Sequence, residues 1–234
     1  MNTALLAAAG KGSRYFGYPH ETGKSHIRVF GYPLFTYLLP ELRKAGIERI
    51  VINVNRGHES DFKSFERFFD VSFHVEPVRD TTSFLPYILE DRLPSQYFFV
   101  YGHQPILASH LERQASITDG SSMSVSLYDW YEESKQLPVV LDSSNRIRFV
   151  DPTIEQRVAF IAVPWILLGP EFAKLARDDD FRHWPGYYMK EAQSRGIPIT
   201  GVQAEMPVEF DFPWQLPSVE EFLARQLAHS QHSH

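Results

Sequence analysis

The feature that most constrains the fold is an alternation of short apolar runs with segments of helical spacing along the first half of the chain. Apolar runs of strand length cover residues 3–9, 49–55, 71–75 and 97–101. Segments with helical character lie between or after these runs, at residues 33–45, 59–69, 82–92 and 108–118. Such alternation is typical of βαβ units on a parallel sheet. Pro40, inside the segment 33–45, is expected to kink that helix.

The pattern becomes richer in strands after Asp119. Further strands are predicted at residues 123–127, 139–142, 146–150, 158–168 and 199–203, with a hairpin turn at 143–145. Helices are predicted at residues 171–176, at 188–195 and from Ser218 onward. No repeat or linker divides the chain, so one domain over residues 1–234 is expected, with halves at about 1–118 and 119–234.

Composition excludes several classes of function. The chain has no cysteine, which rules out disulfides, thiolate metal sites and cysteine nucleophiles. A formal net charge of -6 argues against a nucleic-acid partner. The apolar run near the N-terminus is too short for a signal peptide or a membrane span, so a cytoplasmic protein is expected. Three histidines in the polar C-terminal tail could hold metal adventitiously, although a frayed end is the plainer interpretation.

A glycine-containing segment follows the first apolar run and predicts an anion site. Gly10 and Gly12 lack Cβ atoms, so they can adopt positive φ and turn successive N–H groups toward one phosphate. Arg14 and Lys24 would add charged donors for a triphosphate. Two commoner phosphate motifs fail, since Tyr15 stands where a dinucleotide fingerprint needs its third glycine and Tyr18 where a P-loop needs its first. The alternative is a glycine-rich turn without a ligand.

The segment Ala8-Ala9-Gly10-Lys11-Gly12-Ser13-Arg14, followed by Pro19, Thr22 and Lys24, resembles the signature of the sugar-phosphate nucleotidyltransferases. Weaker matches extend the resemblance over nearly the whole chain, at residues 31–34, 37, 45–47, 100–102, 169–172 and 212–214. The resemblance implies a Rossmann-like α/β fold with three α/β/α layers and a mixed, mainly parallel central sheet. It also implies a reaction in which a nucleoside triphosphate and a phosphorylated acceptor condense and pyrophosphate is released.

The resemblance also assigns roles to individual residues. The first half of the chain would bind the nucleotide and the second half the acceptor. Arg14 would contact the leaving phosphates and Lys24 the α-phosphate. The remaining nucleotide-binding positions implied are Ala8, Ala9, Gly10, Gly12, Ser13, Thr82 and Gly102. The expected partners are a nucleoside triphosphate and a small phosphorylated acceptor, without nucleic acid or membrane, and a homo-oligomer is compatible with the sequence.

The chain departs from the family pattern where a divalent metal, Mg²⁺ or Mn²⁺, would bind. His103 replaces the aspartate that follows the glycine, and Gln215 falls at the second metal aspartate. The family's Glu-Lys pair falls on Asp151-Pro152, and of its Gly-Thr-Ala only Thr82 is kept. Imidazole is a poor substitute for a carboxylate on Mg²⁺.

Three explanations of His103 stay open from the sequence. In the first, the ion is Mn²⁺ or another transition metal, with His103 as a ligand. In the second, the carboxylate has moved, since Glu209 and Asp211 are two apart in a strand-like run and face the same way. In the third, catalysis has been lost, which leaves a nucleotide- or nucleotide-sugar-binding protein with a regulatory role. A histidine that merely caps a strand end is the structural alternative.

The leading hypothesis is a nucleotidyltransferase acting on a sugar phosphate or a related small phosphate or phosphonate. A catalytically inactive binding protein is the rival, and a fold-related glycosyltransferase is weaker because the motif is of the triphosphate type. The acidic run Asp178-Asp179-Asp180 is interpreted as a solvated loop. The aromatic residues Trp184, Tyr187 and Tyr188 are interpreted as core rather than as an acceptor pocket.

Overall fold

The computed structural model describes residues 3–10, 23–76, 96–117, 123–129, 137–151, 159–168, 185–206 and 212–231. Its strands are β1 Thr3–Ala7, β2 Arg28–Val29, β3 Tyr32–Pro33, β4 Arg49–Asn55, β5 Asp70–Glu76, β6 Tyr97–Tyr101, β7 Met123–Asp129, β8 Leu137–Leu141, β9 Ile147–Phe149, β10 Ala159–Leu168 and β11 Ile199–Gln203. Its α-helices are α1 Leu38–Lys44, α2 Ala108–Ile117, α3 Pro185–Ser194 and α4 Leu216–Gln231. Turns of 3₁₀-helix cover Lys24–His26, Leu34–Tyr37, Glu59–Arg67 and Pro213–Gln215.

A single mixed sheet runs through both halves of the chain. Its main path has the order β11-β7-β10-β6-β1-β4-β5. Strands β6, β1, β4 and β5 are parallel, whereas β10 runs antiparallel to both β6 and β7. The hairpin β8–β9 extends from β10. The prediction of a mixed, mainly parallel central sheet is therefore confirmed.

Helices cover both faces of this sheet. Side chains alternate along β1, so Ala4 and Leu6 enter one core while Leu5 and Ala7 enter the other. The first core also holds buried residues of α1, α2 and α4, namely Leu38, Leu42, Leu111, Val219, Phe222 and Leu223. The second core includes Met189 and Ala192 of α3. The three-layer α/β/α arrangement that the resemblance implied is thus confirmed.

The segment predicted as one helix at 33–45 is a 3₁₀ turn followed by α1. Pro40 lies within the first turn of α1, where backbone N–H groups have no intrahelical acceptor. The expected kink therefore does not arise, because the helix begins only two residues before the proline. The segment at 59–69 is likewise 3₁₀-helical, and the three-residue spacing of Phe62 and Phe65 buries both rings on the first core.

The remaining predictions for described segments are confirmed apart from shifts at their ends. The hairpin turn at 143–145 uses Asn145 at φ 58, and the Asp142 carboxylate accepts hydrogen bonds from the N–H groups of Ser144 and Arg146. The helices predicted at 82–92 and 171–176 lie outside the described residues, as do Asp178-Asp179-Asp180 and Trp184. Among the described helices, none is both long enough and apolar enough to cross a bilayer.

Candidate functional site

The carboxyl ends of β1 and β6 lie side by side and form the centre of the candidate site. The Ala8 N–H donates a 2.8 Å hydrogen bond to the Asn53 carbonyl of β4. The Gly102 N–H donates a 2.9 Å hydrogen bond to the Ala7 carbonyl. These bonds fix the backbone just beyond three neighbouring parallel strands. In open α/β sheets, ligands bind outside this edge of the strands.

Gly102 is required here by close packing. A Cβ atom added at Gly102 would lie 3.1 Å from the Cβ of Ser25 and 3.2 Å from the Cβ of Ala8. Both distances are shorter than ordinary carbon contacts, so any larger residue would push these neighbours apart. Gly102 therefore lets the turn at Lys24–His26 rest against the ends of β1 and β6.

Gly23 is the glycine whose backbone conformation matters most at this edge. Its φ of 68° and ψ of -177° fall in a region that is essentially restricted to glycine. An added Cβ would also overlap the Gly10 carbonyl oxygen. Gly10 and Gly23 therefore lie in contact at the end of β1.

Gly10 does not use the positive φ that glycine allows at this position. It is exposed, and an added Cβ would meet no atom of the described residues within 4 Å. The conformation restricted to glycine is taken by Gly23 instead. Ala8 is buried and Ala9 half-buried, so the accessible part of this turn starts near Gly10.

Lys24 is buried in the turn that follows Gly23, with 7% of its surface exposed. The residues on either side of Lys24 both contact the strand ends: Gly23 contacts Gly10, and Ser25 contacts Gly102. The Ser25 hydroxyl donates a 3.5 Å hydrogen bond to the Ala8 carbonyl. Lys24 therefore lies at the edge of the sheet where α/β proteins bind ligands.

His103 follows Gly102 and is also buried, with 8% exposed. Its ring stacks on that of Tyr101, with centroids 5.2 Å apart and planes inclined by 26°. Among the described residues, His103 belongs to no cluster of three potential metal ligands. The donors described at this edge therefore do not fit Mg²⁺, which requires hard oxygen ligands.

Gln215, at the other altered metal position, helps to form the 3₁₀ turn that precedes α4. Its side-chain oxygen accepts a 3.0 Å hydrogen bond from the Phe212 N–H. The other predicted site residues, Arg14, Gly12, Ser13, Thr82 and Asp211, lie outside the described residues. The structure therefore brings together Ala8, Ala9, Gly10, Gly102 and His103 with the turn that carries Lys24.

Asn53 is a candidate residue that the sequence analysis missed. It pairs with Ala7 across β1 and β4 and is 1% exposed. Neither side-chain amide atom of Asn53 has a hydrogen-bond partner in the described structure. An unsatisfied buried polar group costs about 1–3 kcal/mol. A signal was present, since asparagine is depleted in strands and interrupts the β-branched run at 49–55.

Comparison with known proteins gives whole-chain relatives of low sequence identity. No protein-family model matches the chain. A curated relative, the bifunctional IPC transferase and DIPP synthase of Aquifex aeolicus (strain VF5), is 20% identical over 229 residues. The match covers 96% of this chain and 52% of that protein, so the chain spans about half the length of the curated relative it matches.

Solved structures extend the likeness to the whole fold. The inositol-1-phosphate CTP transferase from T. maritima superimposes with a TM-score of 0.76 at 19% identity, covering 96% of this chain and 95% of the other. The CMP:2-keto-3-deoxy-manno-octonic acid synthetase complexed with CTP gives a TM-score of 0.71 at 13% identity, covering 97% and 100%. The chain has the fold of these nucleotidyltransferases. The resemblance recognised from its N-terminal motif is thereby confirmed at the level of the fold.

Proposed function

We propose that this protein is a nucleotidyltransferase that joins a nucleoside triphosphate to a sugar phosphate or a related small phosphate or phosphonate. The observation that carries the proposal is the Gly23–Lys24–Ser25 turn, which places a buried lysine beside Ala8, Gly10 and Gly102. A triphosphate at this edge would accept charge-assisted hydrogen bonds from the lysine ammonium group. The first half, to about residue 118, supplies the nucleotide site, and residues 119–234 supply the acceptor site.

The relatives suggest which substrates to test first. Both solved structures named above have CTP in their descriptions, and the first also names inositol 1-phosphate. We therefore propose CTP as the nucleotide and a phosphorylated cyclic polyol or sugar as the acceptor. These substrates are small and water-soluble, which suits a cytoplasmic enzyme.

The proposed reaction is an in-line displacement at the α-phosphorus. A phosphate oxygen of the acceptor forms a bond to that phosphorus, and the bond to the bridging oxygen of the β-phosphate breaks. Pyrophosphate leaves with the electron pair of that bond. The protein's contribution is to position the two phosphates and stabilise the charge that develops. Lys24 serves the α-phosphate and Arg14 the leaving phosphates.

A divalent ion, Mg²⁺ or Mn²⁺, remains part of the proposal, with His103 and Asp211 as candidate ligands. When bound, such an ion would neutralise negative charge on the phosphates. The donors described around His103 do not form a magnesium-type set. We therefore derive no step through the ion and expect Mn²⁺ to serve better than Mg²⁺ if His103 is a ligand.

The test is pyrophosphate release from each of the four nucleoside triphosphates with inositol 1-phosphate or a sugar 1-phosphate. We expect Lys24→Ala to lower kcat/KM by about 10²–10³-fold or more, as the loss of one charge-stabilising donor does elsewhere. Lys44→Ala is the matched control, because Lys44 is exposed and pairs locally with Glu41 in α1. Full activity in the Lys24→Ala variant would exclude the proposed role of this lysine.

A second candidate function, favoured by His103 at the position of a metal aspartate, is nucleotide or nucleotide-sugar binding without catalysis. A protein with this function would show a thermal shift when nucleotide binds, but it would release no pyrophosphate in the presence of any divalent metal. Combining His103→Asp with Gln215→Asp separates the two functions. Magnesium-dependent activity gained by this double variant would indicate a decayed site, whereas loss of an existing activity would indicate a re-specialised one.

A further inference from the structure

Two histidines and an aspartate meet away from the predicted metal position. His26 Nε2 and His58 Nδ1 each lie 3.0 Å from the same oxygen, Asp61 Oδ2. The three candidate ligand atoms lie within 4.8 Å of one another. We propose that His26, His58 and Asp61 bind a transition-metal ion of the Zn²⁺ class, a site that goes beyond the proposed transferase function.

The backbone presents these side chains by regular local structure. The Asp61 N–H donates a 3.2 Å hydrogen bond to the His58 carbonyl, and side chains three residues apart share one side of a 3₁₀-helix. His26 ends the turn that begins at Lys24, and its ring packs edge-on against Phe35 and Phe62 at 5.3 and 5.7 Å. Two separate segments of the chain therefore hold their ligands in place before any ion binds.

The donor set and its spacing suit zinc better than magnesium. Two imidazole nitrogens and one carboxylate oxygen are borderline ligands that favour Zn²⁺ and similar ions. Bonds of about 2.0–2.1 Å in tetrahedral geometry separate neighbouring ligand atoms by about 3.3 Å. The two 3.0 Å separations need to open by only a few tenths of an ångström, and the two imidazole nitrogens, which lie within 4.8 Å of each other, would move to the same spacing. The side chains are 15%, 24% and 37% exposed for His26, His58 and Asp61, so water can reach the ion and complete its coordination.

A hydrogen-bonded neighbour links this site to the strand ends. The Ser25 hydroxyl lies 3.1 Å from His26 Nδ1. With the ion on Nε2, the ring proton resides on Nδ1 and is donated to Ser25, which orients the imidazole. The Ser25 hydroxyl in turn donates to the Ala8 carbonyl. An ion on His26 would therefore stabilise the turn that carries Lys24.

Co²⁺ is first bound to the nucleotide-free full-length protein, and its visible absorption reports the bound ion. Zn²⁺ is then titrated in, and the loss of this absorption measures the displacement of Co²⁺. The background is a full-length variant in which the tail residues His229, His232 and His234 are glutamine, because these could bind metal themselves. We expect this background to bind a single equivalent. Ser25→Ala removes a hydrogen-bond partner of a ligand and should lower the metal affinity by about 10–100-fold. His58→Ala and Asp61→Asn each remove a ligand and should lower the affinity by more than that.

Glu59→Gln is the matched control, since it removes a carboxylate charge from the same 3₁₀-helix while leaving the three ligands intact. It should keep the affinity of the background protein, and so should His103→Asn. The site is overturned if the background binds no ion, or if His58→Ala and Asp61→Asn bind as tightly as Glu59→Gln. Loss of binding in His103→Asn alone would also overturn it.

Discussion

Two regions of this protein bury polar side chains, and they do so in different ways. The strand-end region, comprising Ala8–Gly10, Gly23–Ser25, Asn53 and Gly102–His103, buries a lysine and an amide. The His110 network, comprising His110, Gln114 and Ser126, lies between α2 and β7 and is fully buried. In the network, His110 Nε2 lies 2.8 Å from the Ser126 hydroxyl, and Gln114 donates a 3.4 Å hydrogen bond to the same oxygen.

The two regions differ in how much of each polar side chain the fold satisfies. In the His110 network each residue makes at least one hydrogen bond within the network, although the Nδ1 of His110 has no acceptor among the described residues. In the strand-end region, by contrast, neither amide atom of Asn53 has a partner in the described structure. A polar group that the fold leaves unsatisfied, at the edge where α/β proteins bind ligands, is better explained by a ligand.

The largest effect is expected where the strand-end region depends on one glycine. Gly23→Ala should destabilise the protein by about 2–4 kcal/mol, because the backbone conformation is strained for alanine and the new Cβ overlaps the Gly10 carbonyl. Denaturant unfolding measures this change. Gly10→Ala changes the other residue of the same contact. Its Cβ would meet no atom of the described residues within 4 Å, so this variant should change stability by less than about 0.5 kcal/mol. Equal effects in the two variants would contradict the described contact between Gly10 and Gly23.

The next effect concerns the pH dependence of the His110 network. Burial, and then the positive charge of Arg113, lower the pKa of His110 to about 4. Its Nδ1 has no described acceptor, so the protonated ring would bury an unsatisfied N–H. An unfolded histidine titrates near 6.5, so the unfolded state binds more protons below that value. The contribution of neutral His110 to the free energy of unfolding is therefore fully present above pH 6.5 and is lost as the pH drops toward 4. The expected loss between pH 7 and 4.5 is about 2 kcal/mol.

The measurement compares unfolding free energies of the wild type and His110→Gln across this pH range. The glutamine variant cannot gain the proton, so its stability should fall by about 2 kcal/mol less than that of the wild type. Parallel pH profiles would show that His110 is not held neutral by burial.

The smallest expected effect is an increase of about 1–2 kcal/mol in the free energy of unfolding, whereas the two preceding effects are decreases. Asn53→Val should stabilise the protein, because an apolar β-branched residue replaces an unsatisfied amide inside β4. If Asn53 contacts the ligand, the same variant should weaken the nucleotide-dependent thermal shift. Destabilisation together with an unchanged nucleotide response would place Asn53 with the structural polar residues.

The sequence predicted the strands well because each has a local apolar pattern. The run at 97–101 and the strand at 199–203 have the predicted bounds, and the alternation along the first half led directly to a parallel sheet. The type of helix was harder to predict. Glu59–Arg67 has helical spacing yet forms a 3₁₀-helix, since periodicity in so short a segment does not distinguish three residues per turn from 3.6.

Within the candidate site, the residue types were predictable but their contacts were not. The motif at residues 8–14 with Lys24 and Gly102 indicated an anion site at a strand end. It did not show that Gly23, rather than Gly10, takes the glycine-only conformation, because that depends on where the chain returns. The meeting of His26 with His58 and Asp61 was equally hidden, since about 30 residues separate them in the sequence.

By itself, the sequence determined the fold class, the strands of the central sheet and the chemistry available at the end of β1. These depend on short-range patterns of apolar, small and charged residues. Only the tertiary structure decided which buried polar groups satisfy one another and which do not. Those outcomes depend on distances between segments far apart in the chain, and packing on both faces of the sheet fixes such distances.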